Sequence, residues 1–134
     1  MEAMELYHIV YSSRPFGFDQ ALLNGLLVDS RANNERDDIT GALICRADLY
    51  LQLLEGPQKQ VMKTFARIEN DDRHTEVDVL ISERTLAREF PHWSMLDDPA
   101  RTWLWTQSEI ASGAAIKASK GEVLSVFKRL RSEI

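Results

Sequence analysis

The sequence predicts an α+β fold in which strands and helices follow one another in the order β-α-β-β-α-β. Two kinds of segment alternate through residues 1–97: short runs rich in β-branched and aromatic residues, and longer runs with apolar residues at helical spacing. Only the second and third strands are close enough in sequence to form a hairpin. Right-handed crossovers then place strands one and three in the middle of the sheet, with both helices on one face, as in ferredoxin-like folds.

The first strand and the first helix are separated by a cluster of helix and strand breakers. Residues 5–11 read as the strand, residues 12–17 as the breaker cluster, and leucine spacing predicts a helix over about 19–32. Gly25 inside this helix costs about 1 kcal/mol relative to alanine, so we expect another group to approach that helix face closely. The polar run 33–38 is expected to end the helix.

The next four elements are predicted from the same two periodicities. Residues 39–45 and 50–56 form the hairpin, and a helix with one apolar stripe extends from Pro57 to about Asn70. Alternating valine and isoleucine residues at 77–81 predict the fourth strand. A short extended piece, counted as a fifth strand, follows the breaker in residues 90–95.

After Asp97 the pattern becomes helical. One helix is predicted from Trp103, Leu104, Trp105 and Ile110, and a last one from the stripe Val123, Phe127, Leu130 and Ile134. An open split sheet leaves one face uncovered, so that face is the expected partner of the stripe, and a second subunit is the alternative. We therefore divide the chain into a core of residues 1–97 and a helical extension of residues 98–134, which covers the sheet or forms an oligomer or partner surface.

Composition excludes several classes of protein. A net charge of −5 and a pI near 5.2 argue against a nucleic-acid binder. The apolar runs are shorter than a bilayer span and no secretion signal precedes them, so we expect a cytoplasmic protein that is not bound to membranes. Cys45 is the single cysteine, which excludes an internal disulfide and a cysteine-based zinc site; no metal is expected.

Gln52 stands out because it is a primary amide within the apolar strand YLQLLEG. An amide buried without partners costs roughly 1 to 3 kcal/mol. A buried polar network or a polar ligand is therefore expected against this strand, and hydrogen bonding to the local backbone or to solvent is the alternative.

The fold brings four polar positions towards one region. They are Tyr11 at the end of strand one, Asn34 at the end of helix one, Gln52 in strand three, and the Arg73–His74 pair before strand four. Tyrosine and glutamine provide donors and acceptors, asparagine can mirror an amide or imide edge, and arginine adds a fixed positive charge. Together these side chains could bind a planar ring whose edge carries hydrogen-bond donors and acceptors.

Five segments, in this order and at compatible spacing, carry a resemblance to a known family. They are IVYSS (9–13), DSRANNERDDITG (29–41), YLQLLEG (50–56), DDRH (71–74) and FPHWSM (90–95). Over about residues 5–97 the chain resembles the BLUF family of blue-light receptors that bind FAD. The resemblance implies a photoreceptor rather than an enzyme, with a flavin held between the two helices and its ring edge facing the sheet.

The resemblance also implies roles for individual residues. By position, Tyr11 matches the photoactive tyrosine, and Gln52 matches the switching glutamine between that tyrosine and the ring. Asn34 matches the asparagine at the ring carbonyl and N3 edge, and Arg73 matches a basic residue near the opposite edge.

Further matches concern the pocket and the outward path of the signal. Ser30, Asn33 and His74 correspond to other pocket residues, and Asn33 stands where some family members have histidine. By position, Trp93 and Met95 match the tryptophan and methionine that are linked in the family to transmitting the light-induced change out of the flavin site. Ordinary sheet packing would also explain both residues.

The implied mechanism is photochemical and forms no lasting covalent bond. Light moves an electron and then a proton from Tyr11 to the flavin; after recombination the Gln52 amide has rotated or tautomerised. FAD rather than FMN is implied by the family alone, because the chain has no G-x-G-x-x-G phosphate cradle. With no cyclase, phosphodiesterase or DNA-binding segment attached, the chain resembles the short type of receptor, a homo-oligomer that acts on a separate effector protein.

Other functions stay open at this point. Small acyl phosphate hydrolases share the β-α-β-β-α-β order, and Arg14 with Asn33 or Asn34 could mimic their catalytic pair, although the loop lacks a glycine-rich run of amides. A module without photoactivity, with or without flavin, is a second alternative. A receptor that reacts through Cys45 would need a surrounding motif that this sequence lacks.

Overall fold

The computed structural model describes residues 6–15, 20–71, 74–99, 101 and 103–134. The strands are β1 (Leu6–Pro15), β2 (Thr40–Arg46), β3 (Leu49–Pro57), β4 (His74–Thr85) and β5 (Leu96–Pro99). The helices are α1 (Gln20–Asp37), α2 (Gln58–Glu69), α3 (Gln107–Ala111), α4 (Ala114–Lys117) and α5 (Lys120–Ser132).

The strands form one sheet in the order β4-β1-β3-β2-β5. Neighbouring strands are antiparallel except β5, which runs parallel to β2. The predicted hairpin is confirmed, since β2 and β3 pair antiparallel up to Arg46 and Leu49. The predicted central position of the first and third strands is confirmed as well, and it brings the polar residues of β1 and β3 side by side.

The alternation of side chains along the central strands produces two separate cores. Ile9, Tyr11 and Leu54 pack with the leucines of α1 and the apolar stripe of α2 on one face. On the other face, Val10 and Leu53 pack with α5. Since α5 contributes three buried residues there, the C-terminal helices lie on the sheet face opposite α1 and α2, as predicted; these residues are Val123, Phe127 and Leu130.

Helix α1 is longer than the sequence predicted. It continues through Asn33 and Asn34 to Asp37, so Asn34 lies inside the helix rather than at its end. Buried Asn34 and Asp37 find hydrogen-bond partners outside the helix, and these contacts override the weak helix propensity of the polar run. Asp38, with φ of 59°, adopts the left-handed conformation that ends many helices.

Two predictions about the C-terminal segment are wrong. Described residues 103–105 are not helical, and the short helix α3 begins only at Gln107, where a capping box between Thr106 and Glu109 starts it. Ile134 lies beyond the end of α5 and is 55% exposed, so it does not extend the buried stripe.

The described part of the chain has neither a membrane-spanning helix nor a cluster of metal ligands. None of its helices combines the length and the apolar character that crossing a bilayer requires. Its histidine, cysteine, aspartate and glutamate residues form no group of three or more suited to holding a metal ion.

Gly25→Ala is expected to stabilise the protein by about 0.5 to 1 kcal/mol, because alanine has the higher helix propensity. The described protein atoms do not provide the close approach expected at Gly25, since a Cβ added there would meet none of them within 4 Å. Chemical denaturation at fixed flavin content measures the effect. Gly41→Ala is the contrasting variant and should destabilise, since its Cβ would collide with the Leu53 carbonyl oxygen; equal effects at both glycines would contradict the prediction.

Candidate functional site

Tyr11 and Gln52 are direct neighbours on the two central strands, where they form one residue pair of the β1–β3 ladder. The Tyr11 hydroxyl donates a hydrogen bond to Gln52 Oε1. Gln52 Nε2 donates to Met95 Sδ at 3.3 Å. The buried amide therefore belongs to a polar network of three side chains from three parts of the chain, as the buried-network interpretation of this strand predicted.

Tyr11 is a neutral phenol in this environment. Complete burial, followed by the influence of Tyr50 and Asp71, raises the pKa of Tyr11 well above its ordinary range. The ring packs beside Phe65, with ring centroids 5.5 Å apart. The hydroxyl keeps its proton throughout the physiological pH range and can act as a donor to Gln52.

A cavity of about 150 Å³ lies beside this network, between α1, α2 and β3. Its lining mixes amides, a hydroxyl pair, charges and a few apolar side chains: Leu26, Asp29, Ser30, Asn33, Asn34, Gln52, Leu54, Thr64, Arg67, Ile68 and Asp71. A larger cavity of about 740 Å³ opens on the α5 side of the sheet and contains none of the predicted site residues. The smaller cavity is the candidate site, because its lining contains the predicted polar residues Ser30, Asn33, Asn34 and Gln52.

Side chains of helix α1 also bind the backbone of the segment that contains Met95. The β4–β5 connection, residues 86–95, is bound near its end by Asn34, a cavity-lining residue whose Nδ2 donates to the Ser94 carbonyl oxygen at 2.7 Å. Arg31 Nε donates to the Met95 carbonyl oxygen at 3.2 Å. Two side chains of α1 thus fix the backbone on which Met95 stands.

Met95 and Trp93 belong to different faces of the sheet. Met95 is 1% exposed and packs in the core beneath α1 and α2. Trp93 is half-buried and packs against the α5-side core, with its ring centroid 6.2 Å from that of Phe90. Met95, not Trp93, is therefore the partner of Gln52 in this structure.

Comparison with known proteins decides which family the site belongs to. Residues 6–96 match the family model described as "BLUF: Sensors of blue-light using FAD". The chain belongs to the BLUF family. The family and fold that the sequence predicted are confirmed, and the family is one of flavin-using light sensors, in agreement with the predicted photoreceptor rather than enzyme.

Curated relatives contain the BLUF segment as a small part of longer proteins. Photoactivated adenylate cyclase subunit beta of Euglena gracilis is 30% identical over 91 residues, which are 67% of this chain and 10% of that protein. The blue light- and temperature-regulated antirepressor BluF of Escherichia coli (strain K12) is 37% identical over 57 residues, 42% of this chain and 14% of the antirepressor. This chain spans a small fraction of these relatives.

Solved structures agree over a larger share of the chain. The dark-state structure of BlrB, a BLUF protein, is 26% identical with a TM-score of 0.80, covering 97% of this chain and 98% of that one. A bacterial light-regulated adenylyl cyclase is 29% identical with a TM-score of 0.69, covering 92% of this chain and 36% of the cyclase.

The donor set of the cavity fits the ring edge of a BLUF flavin. Carboxamides of Asn33, Asn34 and Gln52 can meet its alternating carbonyl and N–H groups, and Leu26 and Ile68 offer apolar surface to its flat rings. The cavity is smaller than sites that enclose a whole drug-sized ligand, so it accounts for the polar ring edge and not for an entire cofactor.

The remaining predicted residues fall into three groups. Ser30 and Asn33 line the cavity. Arg73 lies outside the described residues, and His74 begins β4 without a described side chain. The Arg14 guanidinium is 3.8 Å from Glu76, and Arg14 lies within β1 rather than in the loop where the catalytic arginine of an acyl phosphate hydrolase was expected.

Four polar cavity residues were not named as site residues by the sequence analysis: Asp29, Thr64, Arg67 and Asp71. Arg67 Nη2 donates to Thr64 Oγ1 at 3.1 Å and to Asp37 Oδ2 at 3.2 Å. The available signal was Thr64, a hydroxyl within the apolar stripe of α2, which predicts a polar partner one turn later on the same helix face.

Asp37→Asn is expected to destabilise the protein at neutral pH, with the difference from the natural chain shrinking in acid. A hydrogen bond from Arg36 outweighs burial and, with Arg67, holds the pKa of Asp37 below its ordinary range. A lowered pKa contributes stability above about pH 4 that is lost as pH falls through the folded-state value. Thermal unfolding at pH 7 and pH 3 measures this.

The control for Asp37 is Glu35→Gln, which removes an exposed carboxylate two residues earlier on α1. It should leave stability nearly unchanged at both pH values. A loss of stability for Asp37→Asn that is equal at pH 7 and pH 3 would remove the ion pairs with arginine from the explanation.

Proposed function

We propose that this chain is a blue-light photoreceptor that binds FAD non-covalently and signals through Tyr11, Gln52 and Met95. The observation that carries the proposal is the Gln52 amide, whose two ends meet different partners, the Tyr11 hydroxyl and the Met95 thioether. An amide in this position can present either its oxygen or its NH₂ group to each neighbour. The two orientations give different hydrogen-bond patterns, and a switch requires two such states.

The roles of the three side chains follow from their hydrogen-bonding capacities. A bound flavin would supply the absorption of blue light and the capacity to accept an electron from the Tyr11 phenol. Tyr11 holds a proton at its hydroxyl, directed at Gln52 Oε1, so the phenol can lose and regain that proton through the amide. If the amide exchanges its ends, an oxygen faces Met95 Sδ; a thioether cannot donate, so the contact with Met95 is lost. The change at the site is thereby transferred to the β4–β5 connection.

The proposed flavin contacts come from α1, α2 and β3. Ser30, Asn33 and Asn34 on α1 and Arg67 on α2 would hold the ring edge with Gln52, because all five line one cavity. Arg73 and His74 are added by their position in the family motif alone. FAD rather than FMN is proposed on the description of the family.

The proposed output is contact with a separate effector protein in the cytoplasm, by a homo-oligomer of this chain. BLUF relatives include adenylate cyclase subunits and an antirepressor, so this type of sensor is coupled to different effectors. We propose residues 1–97 as the sensor core and residues 98–134 as the extension that carries the signal outward, because α5 packs on the face that Trp93 also reaches.

The test is the absorption spectrum of the purified protein before and after a blue flash, with the bound flavin released and identified by chromatography. We expect FAD and a small shift of the flavin bands to longer wavelength that reverts in the dark. Bleaching of the flavin bands would indicate adduct formation or reduction instead. A protein that takes up no flavin, even with added FAD, would overturn the proposal.

A further inference from the structure

Glu55 is a buried carboxylate on the face of β3 opposite Gln52, three residues further along the strand. Oε1 accepts a hydrogen bond from the Glu89 backbone N–H at 2.8 Å, and Oε2 accepts one from the Phe90 backbone N–H at 2.7 Å. Thr40 Oγ1 donates to Oε2 at 3.0 Å. At 1% exposure the carboxylate depends on these bonds, because burying it without them would be costly.

Arg88, the residue before Glu89, forms further hydrogen bonds at this junction between β3 and the start of the β4–β5 connection. Its Nη1 donates to Thr40 Oγ1 at 2.9 Å and to the Glu55 carbonyl oxygen at 3.3 Å. Its Nη2 donates to the Asp38 carbonyl oxygen at 2.9 Å. The start of the β4–β5 connection is therefore tied to the end of α1, the start of β2 and the end of β3.

The other end of the connection carries the residue that contacts the switch. Met95 Sδ accepts from Gln52 Nε2 at 3.3 Å, while Asn34 holds the Ser94 carbonyl oxygen. In between, the Gly41 backbone N–H donates to the Trp93 carbonyl oxygen at 3.1 Å. Only four residues separate Phe90 from Met95, so the position of Phe90 limits where Met95 can lie.

We propose that Glu55 is a positioning residue of the light switch: its carboxylate fixes the start of the β4–β5 connection and so keeps Met95 Sδ within reach of Gln52 Nε2. The inference rests on the proposed function. An N–H···S hydrogen bond is weak. It forms stably only if the rest of the protein already holds the sulfur near the donor, because the bond cannot compensate for a large loss of conformational entropy. Dark recovery ends with Gln52 again bonded to Met95, and Glu55 makes that return faster.

Glu55→Gln is expected to slow dark recovery of the flavin bands by about threefold to tenfold, since a charged-group hydrogen bond is lost. The amide keeps the size of the side chain but has one acceptor oxygen, and its NH₂ group faces a backbone N–H. The dark spectrum and the size of the light-induced shift should be retained, because the flavin cavity lies on the other face of the sheet. Absorbance followed after a blue flash measures both.

A double-variant comparison separates positioning from a general loosening of the fold. In a Met95→Leu background the residue on which Glu55 acts is already gone, so adding Glu55→Gln should leave recovery unchanged. An equal slowing in both backgrounds would overturn the proposal. Glu83→Gln is the matched control: Glu83 is on β4, which β1 separates from β3, and its carboxylate accepts a hydrogen bond from Lys120 at 2.9 Å, so the change should leave recovery unaltered.

If Glu55→Gln does not fold with flavin bound, Thr40→Val tests the same junction. Valine keeps the shape of Thr40 and removes one hydrogen bond to the carboxylate, so a smaller slowing that again depends on Met95 is expected. Normal recovery in a folded Thr40→Val protein would then overturn the proposal. If the unsubstituted protein shows no reversible shift of the flavin bands, the proposed photoreceptor function is refuted. If the unsubstituted protein shows the shift and Glu55→Gln recovers at the same rate, only the role of Glu55 is refuted.

Discussion

Gln52→Leu is expected to retain flavin and to lose the reversible shift to longer wavelength. Leucine fills nearly the same space but provides neither the acceptor for the Tyr11 hydroxyl nor the donor for Met95 Sδ. With neither end of the amide left, no second hydrogen-bond arrangement exists. Difference spectra recorded after a blue flash, at equal flavin occupancy, measure the loss.

Tyr11→Phe should give the same result, because it removes only the hydroxyl from a side chain that is otherwise fully buried. The control is Gln58→Leu, the same chemical change at an exposed position at the start of α2, which should leave the shift intact. A normal light response in either Gln52→Leu or Tyr11→Phe would remove that residue from the mechanism.

Phe127→Ala is expected to lower the free energy of unfolding by about 3 to 5 kcal/mol, the usual cost of truncating a buried phenylalanine. Phe127 is 1% exposed and packs in the α5-side core, with its ring 6.4 Å from that of Phe90. Helix α5 thus belongs to the hydrophobic core of the sensor. Chemical denaturation, followed by circular dichroism at fixed flavin content, measures the change.

Ile134→Ala is the matched control, since Ile134 belongs to the same sequence stripe but is 55% exposed. Its loss should change stability by no more than about 0.5 kcal/mol. A small effect of Phe127→Ala, together with unfolding that depends on protein concentration, would instead place the stripe in a contact between subunits.

The contrast between Phe127 and Ile134 shows how far the sequence could predict the fold. Hydrophobic periodicity identified α5 and the residues of its stripe, because a helix that packs on a sheet must present one apolar face. Periodicity does not reveal where the surface to be covered ends, and Ile134 falls beyond that point. The same limitation affected α1, whose polar last turn is retained by the partners of Asn34 and Asp37 outside the helix.

For the candidate site, the sequence identified four of the eleven lining residues, Ser30, Asn33, Asn34 and Gln52, but not which side chains contact one another. Gln52 was recognised because an amide in an apolar strand needs partners, and Tyr11 because it lies on the adjacent central strand. Met95 as the second partner of Gln52, and Arg67 in the cavity, depend on contacts between residues far apart in the chain. No local pattern encodes the contact of Gln52 with Met95, whereas Thr64 in the stripe of α2 was a local signal for Arg67.

The sequence by itself determined the order of the elements, the family, and the requirement that Gln52 be hydrogen-bonded, because these follow from local periodicity, motifs and the cost of burying an amide. Only the tertiary structure decided the register that sets Tyr11 opposite Gln52, and the face of the sheet on which Met95 and Trp93 each lie. The sequence of a strand by itself is compatible with several neighbouring pairing registers. Packing against the partner strands, helices and connections selects one of them.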